Sequence, residues 1–87
     1  MKLILAILRD VDADPATSAL LDADLRVTRI ASTGGWLRRG VTTLMIGVED
    51  AQVEQALNLL KQACSPAAEG EKRATVFVLP VEHFHHI

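Results

Sequence analysis

The chain has 87 residues, 49% of them apolar and 23% charged, a balance that fits a folded domain and excludes a disordered chain. A domain this short buries only about 60–65% of its unfolded surface, and one cysteine excludes an internal disulfide framework, so support from a partner subunit or a metal is expected. The net charge of −2 argues against a general nucleic-acid binder, and the longest wholly apolar run, Leu3–Leu8, is far too short to span a membrane. That run ends in Arg9, Asp10, Asp12 and Asp14 with no clean small-residue cleavage site, unlike a signal peptide. The expectation is a cytoplasmic chain, complete as written, forming one domain over residues 1–87.

Leu3–Leu8 reads as a strand buried on both faces, being short, apolar and not alternating. Pro15 suits a first helical position with Asp14 as its N-cap, and Ala16, Leu20 and Ala23 keep a helical rhythm, so a helix is predicted over roughly residues 12–23. Arg26 to Ser32 is β-branched and roughly alternating, a second strand. A glycine-rich loop follows, Thr33 to Gly40, and Val41 to Val48 is a third strand, suggesting an antiparallel hairpin with an enlarged tip. Asp50 is the expected cap of a second helix, whose stripe is Val53, Ala56, Leu57, Leu60 and Cys64. Ser65 to Arg73 is a polar connector. Ala74 to Leu79 is the last strand, closed by Pro80, and Val81–Ile87 is a tail too hydrophobic to wave freely in water.

The order β-α-β-β-α-β predicts an α+β fold, the ferredoxin-like plait: a four-stranded antiparallel sheet with two helices on one face. Two helices cover one side only, yet the first, third and last strands are apolar on both. The open side is therefore expected to meet copies of the same chain. At about 25 cal/mol per Å², burying several hundred Å² per subunit gives roughly 10 kcal/mol before association costs. A trimer with sheets turned inward and a face-to-face dimer both satisfy this.

Between Leu25 and Val48 there is no acid, while Arg26, Arg29, Arg38 and Arg39 make a local island of +4 in a net-acidic chain. Gly34, Gly35 and Gly40 let the backbone approach a ligand and form an anion nest. Trp36, the one tryptophan, beside arginines suits a flat base that carries phosphates; a plug in a subunit contact is the competing reading. Gly35-x-x-x-x-Gly40-Val41-Thr42 is not a Walker motif, because Val41 replaces the lysine and a strand follows. His83, His85 and His86 lack the companions of a recognisable metal site, and Cys64 lies on an apolar helix stripe, as a small buried hydrophobe does. No catalytic constellation is legible, so no enzyme activity, metal or resident cofactor is expected.

Met1 to Ile7, Arg26-Val27-Thr28, Ile30-Ala31-Ser32-Thr33-Gly34-Gly35 and Ala74 to Val81 resemble the PII-like cyclic di-AMP receptor proteins over almost the whole chain. The resemblance implies a ferredoxin-like homotrimer that binds its ligand in clefts between subunits and signals by loop ordering. It puts Arg26 and Thr28 on the second strand of the pocket, Gly35, Trp36 and Leu37 in the loop, Gly47 on the third strand, and Phe77 and His86 at the C-terminal side. Trp36, Leu37 and Phe77 would pack against adenine, and Arg26 with loop amides would face phosphate. Four departures stand out. Trp36 stands where the family usually has Phe, Val41 where it typically has a base-reading Asn, and His86 where Gln is common. The connector from Ser65 to Arg73 is also much shorter than the family's long flexible loop. The ligand implied is cyclic di-AMP or another adenine nucleotide, with an unidentified downstream protein as target. The alternative is a trimeric interaction adaptor that has lost the nucleotide.

Overall fold

The computed structural model describes residues 1–31, 40–66 and 72–87. The elements follow the predicted order: β1 (Lys2–Arg9), α1 (Asp10–Asp22), β2 (Arg26–Ala31), β3 (Val41–Val48), a 3-10 turn (Asp50–Gln52), α2 (Val53–Ala63) and β4 (Ala74–Pro80). The sheet order is β2-β3-β1-β4, with every neighbouring pair antiparallel. This is the ferredoxin-like α+β plait.

The period-2 geometry of strands divides the apolar sequence between two faces. In β1, Ile4, Ala6 and Leu8 are buried; in β3, Leu44, Ile46 and Val48 are buried. They form one core with Ala16 and Leu20 of α1, Leu25, Ala56 and Leu60 of α2, and Cys64. The alternate residues of β1 and β3, Leu3, Leu5, Ile7 and Met45, are only half-buried, because no helix covers their side. The uninterrupted apolar run of β1 is thus two half-faces interleaved, one packed by the helices and one that neither described helix covers.

The end of α1 sets where β2 begins. Asp24 adopts the left-handed conformation at φ 60°. Its N–H bonds the Leu21 carbonyl at 2.9 Å, and the Leu25 N–H bonds the Leu20 carbonyl at 3.0 Å. This is the Schellman arrangement, built on aspartate instead of the usual glycine. Leu20 and Leu25 both enter the core, so the reversal is locked and Arg26 starts the next strand.

The start of α1 departs from expectation. The helix begins at Asp10 with Arg9 as its N-cap residue, so Asp14 is not the cap and Pro15 lies inside the helix. The local Asp-Pro signal is overridden by packing: Asp12, Ala13 and Ala16 are fully buried, and holding them there requires the earlier turn. Pro15 offers no N–H to the Val11 carbonyl, and both residues lie exposed on the helix surface. Asp50 is not the cap of α2: it opens the 3-10 turn, which Glu49 caps in a reciprocal box with Gln52, and Gln52 is the N-cap residue of α2. Asp50 instead pairs with the N-terminal ammonium at 3.2 Å.

Candidate functional site

The strand registers place most of the predicted ligand residues on the uncovered face. One row across the sheet reads Arg26, Gly47, Leu3, Leu79; the next reads Thr28, Met45, Leu5, Phe77. Arg26, Thr28, Val41, Gly47 and Phe77 therefore share one side, the side without helices. Arg26 and Thr28 are exposed, and Phe77 is about half-exposed at 51%. Beside Arg26 the surface dips, because Gly47 carries no side chain; a Cβ there would stand 3.7 Å from the Met1 Cε.

Arg26 and Thr28 lie on one edge strand and Phe77 on the other. Three strand spacings separate them, about 14 Å across one protomer. They share a face and stand at opposite edges of it. His86 is the exception among the C-terminal residues. The tail leaves β4 with the Val81 N–H on the Met1 carbonyl at 3.1 Å and reaches the opposite edge, where the Arg26 guanidinium meets His86 Nε2 at 3.3 Å. Since arginine only donates, a hydrogen bond there requires Nε2 as the acceptor. Phe84 packs its ring edge against His86, with centroids 4.7 Å apart. His83 and His85 stack on each other at 6.4 Å. No group of three or more metal-ligating side chains occurs among the described residues.

Gly35, Trp36 and Leu37, with Arg38 and Arg39, lie outside the described residues, as does most of the connector between α2 and β4. The return of the glycine loop is described. Gly40 takes a positive φ of 81°, and its carbonyl accepts the Asp10 N–H at 2.8 Å. The Thr42 hydroxyl donates to the Asp10 carboxylate at 2.5 Å. Val41 sits between these anchors opposite Arg9, so its place is set by the junction of β1 with α1.

The positive island divides by strand parity. Arg26 faces the open side, whereas Arg29 belongs to the alternate set and pairs with Asp14 of α1. Arg29 is thus a tie between sheet and helix layer. The alternation of Arg26, Thr28 and Ile30 against Val27, Arg29 and Ala31 carried that signal in the sequence.

A second cluster went unread in the sequence. Asp12 is fully buried, its carboxylate accepting from the Ser65 N–H at 2.9 Å, the Ser65 hydroxyl at 2.5 Å and Arg9 Nε at 3.0 Å. Arg9 also donates to the Ser65 carbonyl. Burial alone would raise the Asp12 pKa; the Ser65 and Arg9 hydrogen bonds and the Arg9 charge outweigh it and hold the carboxyl below its ordinary value. Nearby, burial pushes the Cys64 thiol up, with the Asp12 charge adding to it, so the thiol stays protonated and a poor nucleophile. Asp10 and Asp12, two residues apart, thus hold the return of the glycine loop and the start of the connector respectively.

The model of the cyclic-di-AMP receptor family matches residues 1–69. The chain belongs to the cyclic-di-AMP receptor family. The matched span includes α1, β2, β3 and α2, and with them Arg26, Thr28 and Gly47. The fold has a close counterpart in the crystal structure of a functionally unknown protein from Pediococcus pentosaceus ATCC 25745. That protein is 36% identical with a TM-score of 0.80, the match covering 99% of this chain and 96% of that one. Among the described residues no helix is long and apolar enough to cross a membrane.

Proposed function

We propose that this chain is a non-enzymatic signalling receptor that binds cyclic di-AMP or a related adenine nucleotide in clefts between the subunits of a homotrimer. The observation that carries the reading is the placement of Arg26 and Thr28 on one edge of the bare face and Phe77 on the other, about 14 Å apart. One protomer cannot close both on one base. A neighbouring copy packed on the apolar face brings the Arg26 edge of one subunit beside the Phe77 edge of the next. Leu3, Leu5, Ile7, Met45 and Leu79 supply the apolar area that such packing buries. In this arrangement Arg26 faces a phosphate, Thr28 and the Gly47 dip admit the ribose–phosphate ring, and Phe77 meets adenine. His86 offers one polar edge, and Gly35, Trp36 and Leu37 close from the loop. The whole chain acts as one such domain, working in the cytoplasm, with loop ordering as its output and no bond made or broken.

Calorimetry with cyclic di-AMP, ATP, ADP and AMP tests the ligand. Saturable binding of an adenine nucleotide that weakens at least tenfold in Arg26→Ala supports the reading, since a charge-assisted hydrogen bond contributes about 1.5–3 kcal/mol. Silence with all four overturns it. The second reading, an interaction adaptor without a nucleotide, is favoured by Val41, whose side chain has no group with which to read an adenine edge. A trimer that ignores all four nucleotides and keeps its protein partner in Arg26→Ala and Trp36→Ala would be that adaptor.

A further inference from the structure

The two arginines of β2 are held in opposite ways. Arg29 is tied to the Asp14 carboxylate, which balances its charge. Arg26 is held by an imidazole: its Nη1 meets His86 Nε2 at 3.3 Å, and the Phe84 ring packs edge-on against His86 with centroids 4.7 Å apart. Among the described residues no carboxylate pairs with Arg26; the ion pairs there are made by Met1, Lys2, Arg9 and Arg29. Glu69 and Glu71, outside those residues, belong to the connector that enters β4 at Ala74, the far end of the sheet from the row of Arg26, Gly47, Leu3 and Leu79. An imidazole that accepts through Nε2 is uncharged, so it fixes a guanidinium without balancing its charge.

The segment that brings His86 there is short for its task. From Val81, bonded to the Met1 carbonyl, to His86 the chain reaches at most about 18 Å when extended. The sheet it crosses is about 14 Å wide from β4 to β2. It is therefore a nearly taut strap, and its hydrogen bonds among the described residues lie at its two ends. Residues Glu82 to Ile87 are all exposed, so the strap is not drawn across by burial in the core. At its far end it takes one side of the Arg26 fork. The Nε–Nη2 side makes no hydrogen bond among the described residues, and its two parallel donors match two phosphate oxygens. A long side chain that is already fixed loses less freedom when it binds.

We propose that Phe84 and His86 are positioning residues for nucleotide binding: Phe84 fixes the His86 ring, and His86 fixes the Arg26 guanidinium with its charge intact and its Nε–Nη2 side open to a phosphate. This role rests on the reading that Arg26 faces a phosphate. It adds Phe84, which touches neither Arg26 nor the nucleotide, to the residues that set affinity.

The test is calorimetry on the full chain with whichever of cyclic di-AMP, ATP, ADP and AMP binds the parent most tightly. Phe84→Leu keeps an apolar side chain at an exposed position, so it should melt as the parent does and bind about three- to tenfold more weakly. Phe84→Tyr keeps the ring and should bind as the parent does. In an Arg26→Ala chain, Phe84→Leu should weaken binding no further, because a positioning residue acts only through the group it positions. In NMR of the ligand-free chain, the Arg26 Nε–H signal should exchange faster with water in Phe84→Leu than in the parent. An Arg26 signal indifferent to Phe84, or equal binding by Phe84→Leu, overturns the proposal. Tighter binding also overturns it and makes the strap a competitor for Arg26. A full loss that persists in the Arg26→Ala chain does so too, since Phe84 would then touch the nucleotide itself. Each of these outcomes leaves the nucleotide site standing. Silence of the parent with all four nucleotides removes the site, and the positioning role with it.

Discussion

The two faces of the sheet are built from equally apolar strands and have opposite fates. On one, Ile4, Leu8, Leu44 and Ile46 are sealed by α1 and α2. On the other, Leu5, Met45, Phe77 and Leu79 lie on the side that neither described helix covers. Substitutions on the first face should therefore register as stability, and on the second as association. Apolar character alone does not say which residues hold a fold together; parity along a strand does.

Ile46→Ala gives the largest expected effect. It removes a fully buried side chain from the middle of β3, at a cost of about 2–4 kcal/mol in denaturant unfolding. If the loss is below 1 kcal/mol, the helix face is not the core. Asp12→Ala should follow closely, at about 3 kcal/mol, since it leaves Arg9 and Ser65 without their buried acceptor. The same group predicts a pH profile. Because the folded-state pKa of Asp12 is lowered, its contribution is full above the ordinary value of 3.8 and is lost as the pH falls through the lower folded value. Asp12→Asn should flatten that part of the acid limb, and an unchanged acid limb would contradict the cluster's role.

Phe77→Glu should behave in the reverse way. The side chain is half-exposed in the protomer, so protomer unfolding should shift by less than about 1 kcal/mol. Sedimentation should report loss of the assembly, since a charge would be placed in an apolar contact. If the variant sediments as its parent does, the bare face is not the contact surface and the contrast between the two faces loses its functional meaning. The smallest effect is a gain. Asp24→Gly relieves the left-handed strain at the end of α1 and should raise stability by about 0.5–1 kcal/mol, readable as a small rise in Tm.

Different parts of the molecule were legible to different degrees. β3 was readable to the residue, Val41 to Val48, because glycine bounds it on one side and acidic residues on the other. The stripe of α2 was equally plain, with Ala56, Leu60 and Cys64 buried as its spacing implies. At the start of α1 the strong local signal of Asp14-Pro15 loses to an interaction that joins Asp12 to Ser65, 53 positions away. Burial of an aspartate has no signature in composition or period. Arg29 belongs to the acid-free arginine segment, but strand alternation puts it on the other side from Arg26, where it pairs with Asp14. For the candidate site, Arg26, Thr28 and Gly47 could be placed by resemblance, but that they and Phe77 lie on opposite edges of one face emerged only from the strand order.

Element order, apolar periodicity and an acid-free arginine segment are local properties, and the sequence alone determined them: a βαββαβ chain, strands greasy on both sides, and positive charge around the glycine loop. Which side of each strand the helices take, which arginine is tied down by Asp14, and where Asp12 finds its partners were decided by tertiary structure. Each of these depends on contacts between residues far apart in the chain, whose free energies outweigh the local preferences of the segments they join.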